Sequence, residues 1–283
     1  MRIISDTTCH FSVDEAKAAG VLLVANQVTF GNVSYRDYLE LDEEPFYARL
    51  KTEIARTSQP AVGEVMAVYE TTSPEPTLHV TTGQGLSSAF DSAQGVKASM
   101  NADHVTVFDS QCVAGPNRYL IQLAATLAQA GASLQSVKER LEACLSDHQS
   151  YVIPVSFDFL KRSGRLTPLA ATIAGFMNII PVLAQSADRR RIEKFAVSRT
   201  WKGAIDAVVN DLIKRGVSAK HRIYVAHAQN VEAVNAVITA IRKQIADADI
   251  EVFKLAPAMV THGGPGCVAI QYILKDPQST QAR

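Results

Sequence analysis

Four groups of side chains carry the chemistry this sequence offers. Thr57-Ser58 sets two hydroxyls ahead of Gln59-Pro60, and Ser87-Ser88 sets two more just past the Gly83 and Gly85 break. Arg165 follows Gly164, and His262 opens the run His262-Gly263-Gly264-Pro265-Gly266. Hydroxyl donors, an imidazole and a fixed cation suit a carboxylate or a phosphate: hydroxyls and helix N–H groups solvate the oxygens, and arginine offers a planar fork. The glycines beside His262 permit φ > 0 or a close approach of backbone to a ligand. Each group also has a plain structural reading: caps for the hydroxyl pairs, a surface ion pair for Arg165, a turn for His262. Cys9-His10 has the composition of a nucleophile pair, but adjacent residues of a strand point to opposite faces. Asp6 and Asp109 lack the nearby histidine or third carboxylate that a metal pair needs. No catalytic residue, metal or other cofactor is expected.

The elements that must position these residues alternate. Residues 78–80 read as a buried strand, broken by Gly83 and Gly85. Leu86, Phe90, Ala93 and Val96 then recur at helical spacing, with Ser87 and Ser88 at the helix start. A strand, a glycine turn and a serine-capped helix make an anion site, because the first-turn N–H groups are free and the dipole adds about half a positive charge. Upstream, 2–5 reads as a strand, Ser12 as an N-cap with Glu15 as its capping-box partner, 21–30 as a second strand, and 34–41 as a hairpin or arm. Asp42 starts a helix, and Thr57 to Pro60 reads as another helix start with Pro60 in the first turn. Downstream come a strand at 105–108 and helices at 116–130 and from Ser133 to about 146. Such alternation implies βαβ units and a mainly parallel sheet, whose ligands sit at the carboxyl ends of strands. Asp6, Thr82 to Ser87 and Asp109 all follow strands at that end.

The second half reads as strands at 151–156, 179–184, 192–197, 221–226 and 250–255. The segments 157–166 and 167–178 read as a basic amphipathic stretch, with Lys161, Arg162 and Arg165, and a small apolar helix. Helices follow at 202–214 and 231–245, and a last element spans 259–272. The fold class is therefore α/β with two α/β domains: 1–150 with a mainly parallel sheet and flanking helices, and 151–283 with a mixed sheet and helices.

Bulk properties narrow the function. Lys plus Arg and Asp plus Glu are 28 each, so the formal net charge is zero and no global field draws in nucleic acid or an acidic membrane. The short Arg189-Arg190-Arg191 run reads as a solvated turn. The four cysteines have neither metal-knuckle nor CxxC spacing, which points to a reducing compartment. No run of about 18 apolar residues occurs, and the N-terminus does not read as a signal peptide. A cytoplasmic protein with no stable membrane insertion is expected.

Taken in order, the motifs resemble the DegV family, fatty-acid-binding proteins that serve bacterial fatty acid kinase. They are SDTT at 5–8, FGNVSYRD at 30–37, TSQP at 57–60, GLSSAFDSA at 85–93, FDS at 108–110, LKRSGRL at 160–166, FMNIIPVL at 176–183 and HGGPG at 262–266. The resemblance implies one long-chain fatty acid held in an apolar tunnel, with its carboxylate met by Thr57, Ser87 and His262 and with Arg165 near the carboxylate or the phosphate that replaces it; the adjacent hydroxyls of Ser58 and Ser88, read from the residues as anion donors, are expected to join the carboxylate-binding set. It further implies that a separate dihydroxyacetone-kinase-like subunit phosphorylates that carboxylate to an acyl phosphate, so the chain is a substrate-presenting subunit rather than an enzyme. Each buried CH₂ contributes roughly 0.8 kcal/mol, so the acyl chain drives binding. The sequence departs from the family in two places. Leu86-Ser87-Ser88-Ala89-Phe90 stands where LSGTY is usual, and Ala114-Gly115-Pro116-Asn117-Arg118 stands where a serine and small glycines are usual. Two alternatives stay open. One is a hydrolase or acyltransferase using Ser87 with His262, for which the sequence supplies neither a third residue to orient the imidazole nor a GxSxG elbow. The other is a carrier of another amphiphilic acid with no kinase partner.

Overall fold

A computed structural model describes residues 1–155, 159 and 179–279. The chain divides into two compact units, Met1–Ser146 with Ala256–Ala258 and Asp276–Arg283, and Asp147–Leu255 with Met259–Lys275.

Unit 1 is built on a four-stranded, all-parallel sheet of β1 (Arg2–Asp6), β2 (Val21–Val24), β6 (Thr77–Thr81) and β7 (Val105–Asp109), in the order β2-β1-β6-β7. The intervening elements are α1 (Val13–Ala19), β3 (Gln27–Phe30), β4 (Val33–Arg36), α2 (Glu43–Leu50), β5 (Ala55–Ser58), α3 (Val62–Thr72), α4 (Ala89–Met100), α5 (Gly115–Gln129) and α6 (Leu134–Leu145). Ile4, Val24 and Val105 pack with Val65 and Tyr69 of α3 and Val96 of α4 into one core. Helix α1 forms where the sequence predicts, with both hydrogen bonds of the Ser12/Glu15 capping box and Gly20 closing it in the left-handed region.

Three expectations for this unit need correction. The expected strand over 21–30 is two strands: β2 joins the parallel sheet, and β3 is the centre of a separate antiparallel sheet in the order β4-β3-β5. The chain turns at Asn26, whose amide donates to Thr7 Oγ1 at 3.1 Å and whose carbonyl accepts from the Asp37 amide at 2.8 Å. Thr57 and Ser58 do not start a helix. They end β5, opposite Val28 and Gln27, and α3 begins later with Ala61 as its N-cap. Pro60 is the cause, since its ring disfavours helical conformation in the preceding residue and keeps the segment extended. Helix α4 starts at Ala89 rather than Leu86, because the Leu86 and Ser87 amides close a turn on the Gly83 carbonyl at 2.9 and 3.2 Å.

Unit 2 has a six-stranded mixed sheet in the order β10-β9-β8-β13-β11-β12. Its elements are β8 (His148–Ile153), β9 (Ile180–Gln185), β10 (Ile192–Ser198), α7 (Trp201–Lys214), β11 (His221–His227), α8 (Val231–Gln244), β12 (Asp249–Lys254) and β13 (Val268–Leu274), with α9 (Pro257–Gly263) entering it from unit 1. Among the described strands of this sheet only the β11–β12 pairing is parallel. Thr200 and Asn230 cap α7 and α8 through the Gly203 and Ala233 amides. Ile205, Val208 and Leu212 of α7 and Val234, Val237 and Ile241 of α8 pack with Ile223, Val225 and Ile270 of the sheet. Strand β8 begins at His148, earlier than the expected 151, because His148, Gln149 and Ser150 are buried polar residues that hide the strand signal. The expected single element over 259–272 is α9, a glycine turn and β13. The expected segments 157–166 and 167–178 lie outside the described residues, apart from Phe159. Among the described residues no helix is long and apolar enough to cross a membrane.

Candidate functional site

In unit 1 the carboxyl ends of β1, β6 and β7 carry Asp6, Thr81-Thr82 and Asp109, as the βαβ pattern predicts. Asp6 is fully buried and serves as the anchor of two turns. Its carboxylate accepts from the Thr8 amide at 2.9 Å, the Thr82 amide at 2.8 Å, the Thr8 and Thr82 hydroxyls at 2.5 and 2.8 Å, and Asn26 Nδ2 at 3.3 Å. A carboxylate with this many donors is a structural acceptor. Asp109 does the same for the next turn, taking the Gln84 and Gln111 amides on Oδ1, both at 2.9 Å. Among the described residues no group of three or more His, Cys, Asp or Glu could hold a metal ion.

These anchors fix the 83–88 turn. Gly83 is required there: a Cβ would lie 2.8 Å from the Gln111 carbonyl carbon and 2.9 Å from the Cys112 nitrogen. Ser87 is half-buried, and its Oγ accepts from the Ala89 amide at 3.2 Å. That bond occupies a lone pair and leaves the hydroxyl proton to donate to an anion. Ser88, at the N-cap position, is exposed and makes no side-chain capping bond. The two serines therefore differ, and Ser87 is the better placed. Asp91 in the first turn of α4, held by Gln84 Nε2 at 2.7 Å, offsets part of the helix dipole at this end.

Thr57 and Ser58 differ in the same way. Burial alternates along β5, so Thr57 is half-buried while Ser58 is exposed beside the equally exposed Arg56. Successive strand residues face opposite sides, so both hydroxyls cannot meet one ligand from this strand.

His262 belongs to unit 2 and stands in the last turn of α9 rather than in a loop. It is half-buried. Gly264 and Gly266 follow with φ of +79° and +81°, and these left-handed residues end the helix and set the turn. Phe159 packs against Gly264 so closely that a Cβ there would lie 2.7 Å from its ring, and Val155 sits 2.9 Å from the corresponding position at Gly266. The glycines thus let apolar side chains close on the turn that follows His262. Arg165 lies outside the described residues. Of the expected set, Thr57, Ser58, Ser87 and Ser88 belong to unit 1 and His262 to unit 2.

The Cys9-His10 pair is not an activated nucleophile. Burial pushes the Cys9 thiol up to about 12, and it holds His10 down at about 4, so both are neutral at pH 7. His10 takes a left-handed conformation that closes the turn after Cys9, with Nδ1 2.7 Å from the Thr8 carbonyl. Nothing in its local sequence flags Asp37, a fully buried carboxylate whose Oδ1 accepts from the Ala258 amide at 3.0 Å at the start of α9. Unit 2 also has a groove of about 850 Å³ between α7 and α8, with Lys202, Asp206, Glu232 and Lys243 among its lining. Its charged lining contains none of the expected carboxylate-binding residues.

Comparison with known proteins gives one consistent result. Residues 1–275 match the family model described as an uncharacterised protein of the DegV family. A DegV domain-containing protein of Halalkalibacterium halodurans is 25% identical over 280 residues, covering 96% of this chain and 98% of the relative. The crystal structure of Bacillus subtilis DegV, described as a fatty acid binding protein, aligns with a TM-score of 0.84 at 25% identity, covering 97% of this chain and 99% of that one. A Thermus thermophilus DegV family protein, whose structure is described in terms of fatty acid binding, aligns with a TM-score of 0.87 at 24% identity, over 97% and 100% of the two chains, and shares the fold.

Proposed function

The chain belongs to the DegV family, and from that premise we propose that it binds one long-chain fatty acid in an apolar interior and presents the carboxylate to a separate kinase in the cytoplasm. The observation that carries the reading is the full-length likeness to Bacillus subtilis DegV, a fatty acid binding protein. The site supports it in kind. Thr57 and Ser87 are half-buried hydroxyls, His262 is a half-buried imidazole, and donors of this type solvate a carboxylate without demanding a metal. Ser58 and Ser88 are exposed and have at most a peripheral part, while Arg165 is assigned to the carboxylate or the phosphate that replaces it.

A dihydroxyacetone-kinase-like subunit would transfer the terminal phosphoryl group of ATP to a carboxylate oxygen, giving the acyl phosphate and ADP. This chain contributes by solubilising the acyl chain, orienting the carboxylate and keeping its oxygens accessible. Calorimetric titration of the delipidated protein with oleate should give one site per chain. Adding a kinase of this class, ATP and hydroxylamine should yield the acyl hydroxamate. Saturable oleate binding without hydroxamate would keep the carrier and remove the kinase role, and absence of oleate binding would overturn the proposal.

A further inference from the structure

Helix α9 carries His262 in its last turn, and its first turn is tied down at one point by a residue far away in sequence. Pro257 has no N–H, so the Ala258 amide is the first donor the helix offers. That amide donates to Asp37 Oδ1 at 3.0 Å across 221 residues of chain. Asp37 is itself fixed: it is fully buried, and its own amide donates to the Asn26 carbonyl at 2.8 Å. Asn26 is in turn bonded to Thr7 Oγ1 through its backbone and side-chain nitrogens at 3.1 and 3.2 Å. A buried carboxylate is expensive, and a neutral residue would be the default at such a position. Its placement on a helix amide is where the cost is most nearly offset, because carboxylate and helix N-terminus attract.

We infer that Asp37 is a positioning residue for His262, pinning the first turn of the helix on which the imidazole rides. The inference rests on the reading of His262 as a carboxylate contact. Asp37 acts through the Ala258 amide, and the seven-residue helix transmits a tilt at its first turn to His262 in its last.

The test compares a ligand that needs His262 with one that does not. Delipidated full-length protein is titrated with oleate and with oleyl alcohol, which has the same chain but no carboxylate. Asp37→Ala should weaken oleate about tenfold and the alcohol less than twofold. Asp37→Asn keeps an acceptor oxygen and should stay within about threefold of the parent for oleate. In a His262→Ala background, Asp37→Ala should cost no further oleate affinity, because the two residues act as one unit. If Asp37→Ala does not fold, Ala258→Pro deletes the donor instead, since proline is tolerated in a first helical turn, and it should show the same selectivity for oleate over the alcohol. Equal losses for oleate and alcohol, or the same tenfold loss added on top of His262→Ala, would overturn the inference. Failure of the parent protein to bind oleate at all would instead refute the fatty-acid reading.

Discussion

The Asp6 carboxylate, at the end of β1, accepts the Thr82 amide at 2.8 Å at the end of β6. Neighbouring parallel strands are thus joined beyond their last ladder bond by a side chain. The same carboxylate holds the Thr8 amide, so one residue shapes both turns at this end of the sheet. Asp6→Asn would turn an NH₂ group toward donors. We expect a loss of about 3 kcal/mol, the range for leaving buried charge-assisted bonds unmade. Urea unfolding measures this directly, and a loss within about 0.5 kcal/mol would mean that the turns hold themselves.

Asp37 gives a pH-dependent prediction. Burial pushes its carboxyl up to about 7 from an ordinary 3.8, against the pull of the Ala258 amide and the Thr7 hydroxyl and with the help of the nearby Asp6 charge. The folded state therefore holds this proton more tightly than the unfolded chain does. Below about 3.8 the group costs nothing, the stability it permits is lost progressively as pH rises toward 7, and above 7 the cost is complete. Asp37→Asn should accordingly stabilise the fold by on the order of 2 kcal/mol at pH 8 and by almost nothing at pH 4. Unfolding free energies of parent and variant at the two pH values check the sign; a gain independent of pH would contradict it.

Ala114 sits at φ +58° and ψ −119°, at the N-cap of α5, in a region that costs a non-glycine residue about 1 to 3 kcal/mol. It is buried, so the lost methyl offsets part of the gain. Ala114→Gly should still stabilise by roughly 1 kcal/mol, reversing the usual sign of an alanine-to-glycine change. Thermal unfolding reads this as a rise in Tm, and a fall would mean that the conformation is not strained.

At Gly264, φ is +79° and the Phe159 ring stands 2.7 Å from where a Cβ would lie. Gly264→Ala faces both penalties and should cost about 2 kcal/mol. Because this turn follows His262, oleate affinity should fall in parallel. Gly31 is a fair control, with φ +56° but no atom within 4 Å of its Cβ position. Gly31→Ala should cost less and leave oleate binding unchanged.

The fold was legible wherever local chemistry acts alone. The Ser12/Glu15 box, the Gly20 stop and the Ser133 cap are written in neighbouring residues, and the helices they bound appear as read. The parallel sheet of unit 1 followed from alternation, and the mixed sheet of unit 2 from its strands. The misreadings came from competition between local signals and pairing. Thr57-Ser58 has the hydroxyls of a cap, yet Pro60 and the partner strand β3 keep it extended. Apolar residues on both sides of Asn26-Gln27 let 21–30 read as one strand and hid the turn at Asn26, which depends on Thr7 and Asp37 from elsewhere in the chain. Of the proposed site, the hydroxyls and His262 stand out in the sequence as residue types. Burial then separates Ser87 from Ser88 and Thr57 from Ser58, a distinction set by the strand and turn geometry. Asp37 was illegible because nothing within a few residues reports that its partner is Ala258.

The central claim is that this chain carries a fatty acid. Native mass spectrometry of protein expressed in a bacterial host, followed by extraction and identification of the released lipid, tests it most directly. The account predicts one fatty acid per chain, retained by the parent and depleted in Ser87→Ala and His262→Ala. A protein that emerges empty and also takes up neither added oleate nor palmitate would contradict it.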